Sequence, residues 1–88
     1  MMLKIYCYRN KVVKAYGNPF YDTKEPKDMG ISVARGLMLN AKDSPTLKPC
    51  DLYYMGEFDD ETGKYNLCEP TLVLNCSDYF TSEELKDA

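Results

Sequence analysis

The sequence contains no histidine in its 88 residues. Histidine is the commonest general base and the commonest metal ligand in proteins. An enzyme built on this chain would therefore depend on carboxylates, lysine, tyrosine or cysteine alone, and no pair of its carboxylates is marked by spacing. We expect a protein that is not an enzyme and that uses no cofactor.

Several other signals are missing. The four cysteines, Cys7, Cys50, Cys68 and Cys76, contain no CxxC pair, so neither a zinc knuckle nor a redox dithiol is indicated. Residues 1–9 lack the basic segment and apolar run of a signal peptide, and no stretch approaches the roughly 20 apolar residues of a membrane helix. We expect an intracellular protein with no metal and no membrane partner, whose cysteines are small hydrophobes and not disulfides.

The length limits the chain to one domain, since single domains usually have about 100–150 residues. The hydrophobic fraction of 44% and the charged fraction of 28% are typical of a globular protein. We expect a single α+β domain over residues 1–77, followed by an acidic C-terminal tail over residues 78–88. A domain this small is marginally stable and its short sheet has edges, so we also expect a homodimer.

Charge is distributed unevenly along the chain. Residues 1–50 hold nine lysines and arginines against four acids, whereas residues 51–88 hold two lysines against ten acids. The first half is therefore +5 and the second half −8, which accounts for the net charge of −3. This asymmetry indicates either a surface that faces a polyanion or two oppositely charged faces that are solvated or attract each other.

Periodicity predicts an antiparallel sheet with one helix. Alternation of apolar and polar residues indicates a strand at residues 3–8, and β-branched and aromatic residues indicate a second at 11–16. Turn signals bound three more, at residues 51–58, 64–67 and 71–76, which gives two hairpins and a fifth strand. Apolar residues at spacings of three and four, including Met29, Val33 and Leu37, and in a second series Ile31, Ala34 and Met38, predict a helix at 25–40 packed on a face of the sheet. Residues 43–49 are predicted to be a loop.

The first hairpin interleaves cations with aromatic rings and has no acid before Asp22. Its candidate nucleic-acid-binding residues are Lys4, Tyr6, Tyr8, Arg9, Lys11, Lys14 and Tyr16. Alternation places Lys4, Tyr6 and Tyr8 on one face, opposite Leu3, Ile5 and Cys7, and that pairing of charge with rings suits a single strand of nucleic acid. The alternative is an ordinary solvated strand face, on which lysine and tyrosine are also common.

A family resemblance covers most of the chain. It is carried, in chain order, by the Gly17-Asn18-Pro19-Phe20 turn, the helix containing Arg35, Lys48-Pro49, the string DLYYMGEFDDETG at residues 51–63, and Glu69-Pro70. In these elements the chain resembles the small nonstructural protein of gokushovirus-type microviruses, which are phages with single-stranded DNA.

The resemblance implies a non-catalytic phage protein that works in the bacterial host cytoplasm while a circular single-stranded DNA genome is replicated. It carries over no catalytic residues, and it adds Arg35 as a further phosphate contact. We therefore expect binding of single-stranded DNA, largely without sequence preference, between genome replication and packaging. The rival hypothesis is a protein-interaction module that docks on a host or phage protein through its acidic second half, which the net negative charge favours.

Overall fold

One helix and five antiparallel strands form the described part of the chain, which is residues 1–40 and 45–81 of a computed structural model. The elements are β1 (Met2–Asn10), β2 (Ala15–Tyr16), β3 (Phe20–Asp22), α1 (Pro26–Asn40), β4 (Cys50–Asp59) and β5 (Lys64–Asn75). Their order in the sheet is β2-β1-β4-β5, and β3 pairs with β1 on the same side as β2. The predicted α+β class is confirmed, together with both hairpins and the helix.

The second strand is shorter than predicted. Residues 11–14 form a turn, so that β2 contains only Ala15 and Tyr16. The side-chain oxygen of Asn10 accepts hydrogen bonds from the backbone N–H of Val12 at 2.9 Å and of Val13 at 3.2 Å. Asparagine oxygens commonly stabilise turns in this way, and here the bonds end β1 and reverse the chain.

The last two predicted strands are one continuous strand. β5 runs from Lys64 to Asn75 without a break at Pro70. Proline lacks the N–H that a ladder needs, but an edge strand tolerates it because one side of the strand has no partner. β5 pairs only with β4 in the described sheet, and their register shifts between Tyr54 and Gly56. The sheet still has five strands, the number predicted, because residues Phe20–Asp22 form the additional short strand β3.

Helix α1 covers one face of the sheet. Met29 and Leu37 are buried and Val33 lies half-buried between them, as their spacing predicts. The second apolar series does not enter the core, since Ile31 and Met38 are exposed. No helix among residues 1–40 and 45–81 has the length and apolar character needed to cross a membrane.

The core consists of two buried clusters. The first contains Tyr6, Met29 and Leu52, and the second contains Leu37, Cys76 and Phe80. Phe80 is only 7% exposed, so packing continues beyond residue 77, where the acidic tail was expected to begin. Residues 82–88 of that tail and residues 41–44 around the start of the predicted loop lie outside the described residues, while Pro45–Leu47 form a 3-10 turn.

The two faces of β1 alternate as predicted, but the helix covers the face that was expected to be exposed. Tyr6 packs with Met29 of α1, and Tyr8 contacts both buried clusters. Ile5 and Cys7, on the other side, are also buried, so the middle of β1 is covered from both directions. The register and ring contacts place another set of residues on the side away from α1, which we call the open face: Arg9, Tyr16, Tyr21, Tyr53, Phe58 and Tyr65.

Burial of tyrosines makes the fold sensitive to alkali. Burial raises the pKa of Tyr6 and of Tyr8 to about 12, from an ordinary value of 10.0. Between about pH 10 and 12 the unfolded chain loses phenolic protons that the folded chain keeps, so the free energy of unfolding should fall as the pH rises through this window. The contribution of Tyr6 is at most about 3 kcal/mol, from a shift of about two pKa units at about 1.4 kcal/mol for each unit.

Urea unfolding followed by circular dichroism across this pH range measures the decline. The Tyr6→Phe variant is the control, because it lacks the titrating hydroxyl and should show a shallower decline. Its starting stability should be lower, since the Tyr6 hydroxyl donates a 2.6 Å hydrogen bond to the carbonyl of Lys24. Equal slopes for the two proteins would show that Tyr6 ionises alike in the folded and unfolded chains.

Candidate nucleic-acid interface

Three of the predicted binding residues face the helix and are not available to a ligand. Tyr6 is fully buried, Lys4 is 9% exposed, and Tyr8 is packed between the two core clusters. The ring of Tyr6 lies 5.9 Å from that of Phe20 and 5.8 Å from that of Tyr54, measured between centroids. The prediction of a stacking platform made of Lys4, Tyr6 and Tyr8 is therefore wrong, because these side chains form the interior of the domain.

Lys4 has a structural role in this interior. Its ammonium lies 3.0 Å from a carboxylate oxygen of Glu57 and 3.4 Å from one of Glu25. The hydrogen bond that Lys4 donates to Glu57 raises the pKa of Lys4, with a smaller contribution from the charge of Glu25. Lys4 thereby joins β1 to β4 and to the residue before α1, and its charge is neutralised by two acids.

Lys11 is also engaged within the protein. Its ammonium donates to the side-chain oxygen of Asn75 at 3.0 Å and to the hydroxyl of Ser77 at 3.1 Å, and it lies 3.4 Å from the carboxylate of Asp51. That Asp51 oxygen is buried and has no hydrogen-bond partner among the described residues. Lys11 therefore compensates a buried negative charge, and replacing it with glutamate would destabilise the fold as well as remove a cation.

Two predicted residues, Arg9 and Tyr16, come together on the open face, next to the turn that contains Lys14. Arg9 pairs with Tyr16 across β1 and β2, and its guanidinium carbon lies 5.7 Å from the centroid of the Tyr16 ring. Tyr16 is 44% exposed and meets the edge of Tyr53 at 5.6 Å. Lys14 is exposed in the adjoining turn and forms no ion pair with any described residue. This group combines two cations with an accessible ring.

Arg35 lies apart from this group. It is exposed on α1, in the layer on the other side of the sheet from Arg9 and Tyr16. Arg35 and the cations of the first hairpin therefore do not lie on a single face, where they could contact one phosphate backbone together.

A second aromatic group on the open face was not predicted. Centroids of Tyr21 and Phe58 are 5.6 Å apart, and those of Phe58 and Tyr65 are 4.6 Å apart. The hydroxyls of Tyr21 and Tyr65 are 3.0 Å apart and share a hydrogen bond, which raises the pKa of Tyr21. Tyr21 and Tyr65 are 44% and 56% exposed, so their rings are accessible. The alternation of Lys64, Tyr65, Asn66 and Leu67 indicates that Tyr65 and Leu67 share a face, but it gives no signal that this face is exposed.

Four acidic residues of the second half are engaged by cations within the described part of the chain. Asp51 and Glu57 are paired with Lys11 and Lys4. At the β4–β5 turn, Asp60 and Glu61 lie 2.7 Å and 3.3 Å from the N-terminal ammonium. Within residues 1–40 and 45–81, no group of three or more cysteine, aspartate or glutamate residues is placed to hold a metal ion.

The cysteines are free thiols. Cys7, Cys50 and Cys76 are buried, as expected for small hydrophobes, whereas Cys68 is exposed on β5. Burial raises the pKa of Cys76 to about 12, so this thiol is protonated at neutral pH.

Comparison with known proteins adds no relative. No protein-family model, no curated protein and no solved structure matches the chain. The geometry of the open face is therefore the basis for a functional assignment.

Proposed function

We propose that the protein binds single-stranded DNA, largely without sequence preference, on the open face of its sheet. The observation that carries this proposal is the combination of exposed rings with Arg9 on the face that α1 leaves uncovered, next to the turn that holds the exposed Lys14. Exposed rings stack on unpaired bases of any sequence, and nearby cations neutralise the phosphates. The proposal involves no catalysis.

The biological setting is also a proposal. The chain resembles the small nonstructural protein of gokushovirus-type microviruses, so we place its action in the cytoplasm of an infected bacterium, between genome replication and packaging. A protein that coats or channels a genome needs affinity for any sequence, and rings without a fixed set of hydrogen-bonding partners supply this.

Self-association of the chain stays a prediction as well. β5 pairs only with β4 in the described sheet, and a strand edge with unpaired backbone groups accepts a further strand. The outer edge of β5 is therefore where we expect a second copy to add.

The test compares two double variants with equal changes in charge. Arg9→Glu with Lys14→Glu alters the open face, and Lys27→Glu with Arg35→Glu alters exposed cations of α1. Fluorescence anisotropy of a labelled oligothymidine at low and at physiological salt measures the affinity. The first pair should weaken binding about tenfold or more at low salt and reduce the salt slope by about two, since each lost phosphate contact lowers it by about one. The second pair should keep the affinity within about threefold of that of the unmodified protein, because it changes only the long-range electrostatic field and removes no phosphate contact.

Equal weakening by both pairs would contradict the assignment to the open face, because net charge alone would then explain it. If the unmodified protein does not bind at low salt, the proposal of DNA binding fails. The rival, docking of a protein partner through the acidic second half, would then be the remaining hypothesis.

A further inference from the structure

A groove of about 310 Å³ opens on the open face between β3, β4 and β5. Its lining contains no charged side chain and consists of Ile5, Pro19, Tyr21, Met55, Tyr65 and Leu67. The volume is at the lower end of the range for small-molecule sites, about 300–1,000 Å³. The groove therefore suits one small, mostly apolar group.

The rim of the groove adds a polar feature. Tyr21 and Tyr65 contribute the two hydroxyls that are 3.0 Å apart. One phenol donates to the other, which leaves the second phenol with an O–H that is free to donate outward. A ligand with a flat apolar ring and a hydrogen-bond acceptor at its edge would match both the lining and the rim.

The groove lies on the same face of the sheet as Arg9. Ile5, which lines it, and Arg9 lie on the same side of β1 and are four residues apart, about 13 Å at about 3.3 Å per residue. Arg9 and Lys14 form no ion pair within the described residues, so their charge is available to an anion. An apolar ring joined to a chain of phosphates would occupy the groove and reach Arg9 at the same time.

We propose that the groove between Tyr21 and Tyr65 takes one unpaired base of a bound DNA strand, which anchors the strand on the open face. This inference rests on the proposed function and adds a defined subsite to it. The base stacks against the exposed tyrosine rings, and the free phenolic O–H donates to a ring nitrogen or carbonyl at its edge. Because the lining offers only that one donor, the subsite discriminates little between bases.

The test uses two leucines that are both more than half exposed. Leu67 lines the groove, whereas Leu39 lies on α1, on the other side of the sheet. Leu67→Glu and Leu39→Glu add the same negative charge, so they differ in whether the charge enters the groove. The probe is an oligothymidine with one central 2-aminopurine, a base whose fluorescence is quenched on stacking.

The unmodified protein and Leu39→Glu should quench the 2-aminopurine and bind with affinities within about threefold of each other. Leu67→Glu should lose the quenching and weaken binding about tenfold, within the range expected for one stacked base. Binding without quenching by the unmodified protein, or equal behaviour of the two variants, would overturn the subsite and leave the proposed DNA binding in place.

A second measurement separates the two proposals. Deoxyadenosine monophosphate is titrated into the labelled full chain, and backbone amide shifts are followed by NMR. Shifts concentrated at the lining residues, and absent in Leu67→Glu, support the subsite even if no oligonucleotide binds and the proposed function fails. No shifts at the lining overturn it. If sedimentation shows a dimer that only Leu67→Glu dissociates, the groove holds a second copy of the chain and the inference is wrong.

Discussion

Replacing Gly56 with alanine should lower the free energy of unfolding by about 3 kcal/mol or more. Gly56 has φ +129°, a conformation that side chains rarely adopt. A Cβ at this position would overlap the backbone carbonyl oxygen of Asn66 and lie 2.8 Å from the Cα of Leu67. Both atoms belong to the backbone of β5 and cannot rotate aside, so the pairing of β4 with β5 would have to open.

Gly36 provides a matched control for this substitution. It lies within α1, and a Cβ there would meet nothing within 4 Å. Gly36→Ala should therefore raise the free energy of unfolding by about 0.5–1 kcal/mol, because alanine favours the helix. Urea unfolding followed by far-ultraviolet circular dichroism measures both variants. Equal midpoints for the two would contradict the assignment of Gly56 as the residue that permits the close approach of the strands.

The same position links the fold to the candidate site. Gly56 pairs with Ile5 on one side and with Leu67 on the other, and both of these residues line the groove. Distortion at Gly56 should therefore change the shape of the groove even in the folded fraction of the variant. Gly36→Ala, in helix α1 on the other side of the sheet, should leave the shape of the groove unchanged.

The fold class could be predicted because its signals are local. Alternation over a few residues specifies β1 and β4, and the spacing of Met29, Val33 and Leu37 specifies the buried side of α1. The continuity of β5 through Pro70 was not predicted, because it depends on that strand lying at the edge of the sheet. Position within the sheet is not a local property of the sequence.

The candidate site was predicted only in part, and the errors share a cause. Alternation shows that Tyr6 and Ile5 lie on opposite faces, but both are apolar enough to be buried, so it cannot say which face a helix covers. In the sequence, Lys11 has no acidic neighbour and is interpreted as a free cation, whereas the fold places it 3.4 Å from the carboxylate of Asp51. Tyr21 and Tyr65 are 44 positions apart and meet only through the pairing of β3, β1, β4 and β5. Contacts of this kind appear only in three dimensions.

Alanine at Tyr6 and alanine at Tyr65 should have opposite consequences for folding and binding. Tyr6 is fully buried and contacts the rings of Phe20 and Tyr54, so Tyr6→Ala should cost about 3–5 kcal/mol. A domain of 88 residues has a total stability of roughly 4–13 kcal/mol, at about 0.05–0.15 kcal/mol per residue. Tyr6→Ala should therefore be largely unfolded or close to it.

Tyr65→Ala should remain folded. Tyr65 is 56% exposed, and its loss removes one ring contact with Phe58 and one exposed hydrogen bond to Tyr21. We expect a loss of stability of about 1 kcal/mol. Affinity for oligothymidine should nevertheless fall about fivefold or more, because a stacked base contributes about 1–3 kcal/mol.

Measuring stability and DNA affinity for both variants tests whether Tyr6 belongs to the core and whether Tyr65 belongs to the binding surface. Thermal unfolding gives the stability, and anisotropy below the unfolding temperature gives the affinity of whatever fraction is folded. If Tyr6→Ala stays folded and loses DNA while Tyr65→Ala binds normally, the binding surface is the helix-facing side of β1 and α1 must move away from the sheet to expose it. If Tyr65→Ala alone loses affinity at almost unchanged stability, the rings that contact DNA are those on the face that α1 leaves uncovered. The second result is the one expected, because a base can reach Tyr65 without disturbing any buried contact, whereas access to Tyr6 requires opening the core around Met29 and Leu52.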